Sequence, residues 1–288
     1  MFVIYDGSFA GLLTAVAWCL RRQCIPDGLL SESDQMPLIE TVTLLTESGI
    51  RNLFSRHFRQ VMGIEQAGLV LDTAYRAWLS EIPELGSAIR GYLSAALCER
   101  CDPAGRLTDP NIAAVASAAK KVSGQAHQYL GLLRFRRAGP SLYLADFSPD
   151  YHVLPLILPH FADRLADQEF VICDRRRNIA AWHHAPQRSE GVQKDAGQRC
   201  TLHWLSADNQ TTAAGRESLS TEGLLLPAQT LITDGRHLDA VTGREDYEAM
   251  WRFYLNRLTI PERRNLFLQR GNLPLKYRTF MTEFNHGG

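Results

Sequence analysis

The sequence predicts an α+β fold: a largely antiparallel sheet with helices packed on it, followed by a basic helical C-terminal segment. Three observations carry that expectation. A short β-prone run, Phe2 to Tyr5, feeds straight into an amphipathic helix; helical spacing then runs from about Ile50 to Cys98 and again from Asp109-Pro110 through Tyr129; and beyond it the period switches to the alternation of two hairpins around one further helix. The 288 residues, 45% hydrophobic and 22% charged, suffice for one large core or two modest ones and exclude disordered, collagen-like and disulfide-scaffold classes.

Taken in order, Asp6-Gly7-Ser8 breaks the first strand, and Phe9, Leu12, Leu13, Val16, Ala17 and Leu20 form the apolar stripe of the first helix. Ser8 is placed to cap it by accepting a backbone N–H, and Pro26-Asp27-Gly28 follows its end as a turn. A second strand is expected over Leu38 to Leu45. Leu53, Phe54, Phe58 and Val61, then Tyr75, Trp78, Leu79 and Ile82, recur at helical spacing. Asp109-Pro110 supplies a cap and a first-turn proline for a helix carrying Ile112, Val115, Ala119, Val122, Ala126 and Tyr129. Leu133 to Arg137 and Ser141 to Phe147, around Gly139-Pro140, read as a hairpin. A helix from Tyr151 to Ala166 precedes two strands, Phe170 to Cys173 and Asn178 to Trp182, joined by the polar turn Asp174 to Arg177. The composition then turns polar, and a last helical stretch runs from Glu245 to Gly271. The expected organisation is a core domain over residues 1–185, a polar linker or insertion with a short strand (Thr201 to Leu205) over 186–238, and a basic aromatic segment over 239–288.

Thirty-one basic residues balance thirty-one acidic ones, which excludes a globally cationic nucleic-acid binder but not a local patch. No run approaches the roughly 20 apolar residues of a membrane span, and the N-terminal residues lack a secretory signal's pattern, so a cytoplasmic protein with reduced cysteines and no membrane partner is expected. Walker A, G-x-G-x-x-G, H-E-x-x-H and G-x-S-x-G motifs are absent. Ser117-x-x-Lys120 matches an acylase tetrapeptide without its companion motifs and is read as a solvated helix face. Cys98-x-x-Cys101 with Cys200-x-x-His203 has chelate spacing; coincidence is the simpler reading, so no metal and no cofactor are expected.

Charge is strongly polarised. Between Trp251 and Phe280, the seven cations Arg252, Arg257, Arg263, Arg264, Arg270, Lys276 and Arg278 stand against Glu262 alone, a local charge of +6. Aromatic residues, Tyr277 among them, are interleaved, a combination that neutralises phosphates and offers flat surfaces to unstacked bases. Arg134, Arg136 and Arg137 form a second patch, with Arg134 and Arg136 on one face of the proposed strand, and Arg175, Arg176 and Arg177 form a third in a turn where all three reach solvent. Asp146 and Asp150 are the acids that the hairpin arginines, Arg134 to Arg137, would meet in a purely structural role. The expectation is that Arg134 to Arg137 and the Trp251 to Phe280 cluster line one positive groove. For acid–base chemistry the candidates are Asp6, His127, Asp150 and His152, none in a spacing that demands catalysis.

Tyr5-Asp6-Gly7-Ser8-Phe9 with Gly11 to Ala15, Ala126-His127 before Gly131 to Phe135, Ser148-Pro149-Asp150, Pro159 to Arg164, Arg175 to Trp182, Trp251, Ile260 to Asn265, Leu268-Gln269, Pro274, Tyr277 and Thr282-Glu283-Phe284 carry a resemblance over nearly the whole chain. They resemble a bacterial family of DNA repair or DNA metabolism proteins. Ala10, Gln128 and Arg278 stand where that family usually carries an acid, an arginine and a tryptophan. The resemblance implies a role beside a radical S-adenosylmethionine (radical-SAM) protein of the spore-photoproduct-lyase-like type, and a relation to a domain fused to uracil-DNA-glycosylase-like proteins. The resulting expectation is a DNA-binding accessory to a radical-SAM repair or modification enzyme, acting on damaged or single-stranded DNA. The alternatives are an enzyme that itself processes a base or phosphodiester through Asp6 and His127, and a protein-only scaffold.

Overall fold

Tyr5 passes directly from a buried strand into a capped helix, and the computed structural model shows what is built around that step. It describes residues 1–32, 40–46, 48–138, 142–184, 273 and 275–281. Two compact units result: Met1–Gln125 with Tyr151–Val153, and Ala126–Asp150 with the described residues from Leu154 onward.

In the first unit, β1 (Phe2–Tyr5) lies between β2 (Gly28–Ser31) and β3 (Thr41–Thr43), parallel to both. Val3, Ile4 and Tyr5 are all buried, the near-continuous apolar run that a central parallel strand needs because both its faces are covered. Helix α1 (Phe9–Arg22) starts where the Ser8 hydroxyl accepts the Gly11 N–H at 2.9 Å. It ends at Gln23, whose left-handed backbone returns its N–H to the carbonyls of Cys19 and Leu20. Helices α2 (Ser48–Met62), α3 (Ile64–Trp78) and α4 (Leu85–Glu99) follow. The chain turns between α2 and α3 at Gly63, φ 82°, and between α3 and α4 through Glu81 and Glu84, both at positive φ. A 3-10 turn, Pro103–Gly105, is capped by Asp102, which also accepts the buried Tyr92 hydroxyl at 2.7 Å. Helix α5 (Pro110–Leu132) begins with Asp109 accepting the N–H groups of Asn111 and Ile112, as expected of its Asp-Pro start. Leu12, Val16, Phe58, Val70, Ile89, Tyr92, Leu93 and Val115 make one core from α1 to α5.

The second unit is built on a four-stranded sheet in the order β4-β5-β6-β7: β4 (Phe135–Arg137), β5 (Leu142–Phe147), β6 (Glu169–Asp174) and β7 (Ile179–His183). Helix α6 (Leu154–Arg164) connects β5 to β6. Phe135 packs edge-on against Phe161 of α6 and Phe170 of β6, and Tyr129 of α5 packs edge-on against Phe147. A short C-terminal helix, α7 (Leu275–Arg278), belongs to the same unit.

The α+β class holds. The largely antiparallel sheet does not: the first sheet is wholly parallel, and in the second β5 and β6 pair in parallel between two antiparallel hairpins. The reason is the connections. Both β1 to β2 and β5 to β6 pass through a helix, the crossover that a parallel pair requires. Strand β2 begins at Gly28, the last residue of the expected turn, and runs on through residues for which no element was expected, and β3 is shorter than the strand expected over Leu38 to Leu45. The proposed segments at 186–238 and most of 239–288 lie outside the described residues. Among the described residues no helix is long and apolar enough to cross a membrane.

Candidate functional site

Two places gather the polar residues singled out above. The first is the loop after β1. The chain leaves β1 for β2 on one side and later places β3 on the other, so this loop sits where the strand order reverses, the position at which open parallel sheets offer a crevice. Here Asp6 is turned to internal use. Its Oδ1 accepts the Ser8 N–H at 3.0 Å and the Ser8 hydroxyl at 2.7 Å, while Oδ2 accepts the Thr46 hydroxyl from beyond β3. The half-buried carboxylate thus ties the turn to the third strand's exit, a structural duty that accounts for an Asp at this turn.

The second place is the end of the mixed sheet. Asp146 on β5 receives Arg136 Nη2 from β4 at 3.2 Å and Arg175 Nε from the β6–β7 turn at 2.6 Å. Arg176 reaches Asp150 at 3.6 Å. Three guanidiniums therefore share two carboxylates, and the side chains of Arg175 and Arg176 keep 56% and 55% of their surface exposed. The turn that presents them is held by Asp174, whose Oδ1 accepts the N–H groups of Arg176 and Arg177, and is closed by Asn178 at φ 52°.

Arg177 departs from its neighbours. It donates from Nη1 to Asp174 Oδ2 at 2.9 Å and to the Pro149 carbonyl at 3.2 Å, and from Nη2 to the Asp150 carbonyl at 3.1 Å. Its side chain is 11% exposed and that of Asp174 is fully buried. The expectation that all three turn arginines reach solvent is corrected: a fully buried carboxylate needs a cation, and Arg177 supplies it. Burial pushes the Asp174 carboxyl above its ordinary value, against the pull of Arg177. The Cys173 thiol beside Asp146 is pushed up to about 11, first by burial and then by that carboxylate, which keeps it protonated and poorly nucleophilic at neutral pH.

The remaining residues disperse. Arg134 donates to the Gly131 carbonyl at 2.8 Å, and Arg137 is exposed. His127 is exposed on α5 in the second unit, whereas Asp6 and His152 belong to the first; the His152 N–H donates to the Leu79 carbonyl at 2.9 Å. Ser117 and Lys120 are exposed on α5, and Cys98 and Cys101 are free and exposed. Cys200, His203, Arg252, Arg257, Arg263, Arg264, Arg270 and the Lys276 side chain lie outside the described residues, as does the proposed groove they would complete with Arg134 to Arg137.

Tyr277 is corrected as a stacking surface. It is 5% exposed, packs edge-on against Tyr129, and donates its hydroxyl to Gln128 Oε1 at 2.7 Å. Arg278 donates from Nε and Nη2 to the Leu273 carbonyl. Both residues tether α7. Tyr277→Phe should therefore lower stability by about 1 kcal/mol in urea denaturation while leaving DNA affinity unchanged.

Sequence reasoning missed Thr46 as the partner of Asp6, and missed the face of α2 formed by Asn52, Ser55, Arg56 and Arg59. The latter had a signal: the four residues recur at i, i+3, i+4 and i+7.

No curated protein and no solved structure matches the chain. A family model does, over residues 83–283, from within the turn before α4 to the C-terminal segment. That span is well over half of the sequence, and the chain belongs to the family described as a domain of unknown function, DUF4130.

Proposed function

We propose that the protein binds DNA in the cytoplasm as an accessory of a radical-SAM enzyme in DNA repair or DNA metabolism. The observation that carries the DNA contact is the cluster of Arg136, Arg175 and Arg176 on Asp146 and Asp150. Asp146 and Asp150 orient the guanidiniums of Arg175 and Arg176 while leaving them about half exposed on the turn, as bidentate phosphate recognition requires. The carboxylates are engaged by cations, so the cluster suits positioning of a phosphate backbone better than proton transfer. The resemblance set out above supports the repair context and the radical-SAM partner. The sequence between Trp251 and Phe280 carries a further excess of arginine suited to phosphate contact.

Binding of single-stranded and duplex DNA, measured over a salt series, tests the reading. Arg175→Ala with Arg176→Ala should weaken binding to all sequences alike and lower the slope of log affinity against log salt by about one per lost contact. Stability should hold, because Asp146 keeps Arg136. Wild-type protein that fails to bind DNA at low salt, alone and with the radical-SAM partner, would reject the proposal in favour of a protein-only scaffold.

A further inference from the structure

A groove of about 520 Å³ opens in the first unit, lined by Phe9 and Leu13 of α1, Leu71 of α3, and Asn52, Ser55, Arg56 and Arg59 of α2. The volume is that of a small-molecule site, typically about 300–1,000 Å³. Its two sides differ in chemistry. Phe9, Leu13 and Leu71 form an apolar floor, and the Phe9 ring is fixed by an edge contact to Tyr75 at 5.1 Å and a tilted one to Trp78 at 5.7 Å. The α2 lining supplies an amide, a hydroxyl and two guanidiniums from one helical face. Arg56 and Arg59 are exposed and form no ion pair among the described residues, unlike the arginines of the mixed sheet.

Two arginines one helical turn apart, with no carboxylate partner among the described residues, suit an anion. A preoriented aromatic ring with aliphatic neighbours selects a flat apolar body, and an amide and a hydroxyl between them can hydrogen-bond the edge of a heterocycle. We propose that this groove binds a nucleoside phosphate, with the phosphate on Arg56 and Arg59, the base against Phe9, Leu13 and Leu71, and Asn52 and Ser55 at the base edge or sugar. The site shares no residue with the arginine cluster on Asp146 and Asp150. It lies before the span matched by the family model, and it holds whether or not that cluster binds DNA.

Calorimetric titration of the full chain with deoxyadenosine 5′-monophosphate, deoxyadenosine and inorganic phosphate at low salt tests the assignment. The monophosphate should bind more tightly than either fragment, since each fragment fills half the groove. Arg56→Ala with Arg59→Ala should weaken it roughly ten-fold or more, as expected for loss of charge-assisted hydrogen bonds. Arg175→Ala with Arg176→Ala should leave it unchanged, which separates this site from the proposed DNA surface. A short single strand that displaces the monophosphate would identify a nucleotide of a DNA strand as the natural source of the ligand, and a strand that does not would identify a free nucleotide. Absence of monophosphate binding at millimolar concentration, affinity for inorganic phosphate equal to that for the monophosphate, or affinity unchanged in the Arg56/Arg59 double variant would each overturn the proposal.

Discussion

Replacing Arg177 with methionine should cost the protein about 3–5 kcal/mol at neutral pH, the range for removing one member of a buried ion pair. The loss is that of an uncompensated charge. Asp174 is fully buried at the end of β6, and Arg177 is the side chain that meets its Oδ2. Burial already raises the Asp174 carboxyl above its ordinary value of 3.8, with Arg177 pulling it down. The native state thus holds this proton more tightly than the unfolded chain does. Between the ordinary value and the raised one, the native state carries more protons, so this group's contribution to stability falls as pH rises through that window. Without Arg177 the raised value climbs further, the window widens toward neutrality, and the variant's deficit should shrink on acidification as Asp174 becomes neutral. Urea denaturation at about pH 7.5 and about pH 5 measures both deficits. Adding Asp174→Asn to the variant should recover part of the loss, because an amide oxygen can still accept the N–H groups that Oδ1 accepts now. A deficit that stays the same at both pH values would show that packing of the arginine stem, not charge, sets its cost.

The local grammar of the fold was legible where one residue type has one physical use. Ser8 and Asp109 cap the helices they were expected to cap, and both hairpins pair as their alternation predicts. Strand direction was not legible. A period of two says which face a side chain takes and nothing about whether the neighbour runs up or down; that follows from the crossovers through α1 and α6. Strand β2 was hidden for a related reason. Gly28-Leu29-Leu30-Ser31 has too little pattern to announce a strand, and its stability comes from pairing with β1.

Legibility of the candidate site divides along the same line. The pairing of Arg136 with Asp146 was within reach, because arginine on a strand near an acid has few other fates, whereas the reach of Arg176 to Asp150 was not foreseen. The split among Arg175, Arg176 and Arg177 was not. Three identical residues in one turn are distinguished only by the turn's geometry, in which Asp174 and the left-handed Asn178 send two outward and one in. Tyr277 was misplaced because an aromatic residue amid cations reads the same whether it faces bases or another ring; Tyr129 and Gln128, some hundred and fifty positions earlier, decide it.

Gly11→Ala should destabilise the protein by about 2–3 kcal/mol, although alanine is the better helix former by about 1 kcal/mol. A β-carbon at Gly11 would stand 2.1 Å from Asp6 Oδ1 and 2.8 Å from Thr46 Oγ1, distances that force the carboxylate out of its place. Asp6 would then lose the Ser8 N–H and hydroxyl and the Thr46 hydroxyl together. The clash and the network are one unit, so the two sites must couple. Asp6→Ala alone should cost about 1–3 kcal/mol for its unpaired partners. In that background the two Asp6 atoms nearest the Gly11 β-carbon are gone and Thr46 Oγ1 at 2.8 Å, on a side chain that can turn, is the remaining close contact, so the cost of Gly11→Ala should fall to about zero as helix propensity offsets it. The double-mutant cycle therefore closes with a coupling energy of about 2 kcal/mol between residues 6 and 11. Equal costs for Gly11→Ala in both backgrounds would mean that Asp6 is not what excludes the β-carbon. The same variants separate structure from chemistry at the strand-order switch. A carboxylate committed to three internal hydrogen bonds should, when removed, change folding free energy and leave DNA affinity at its wild-type value. A catalytic Asp6 would instead abolish turnover of a DNA substrate with stability intact.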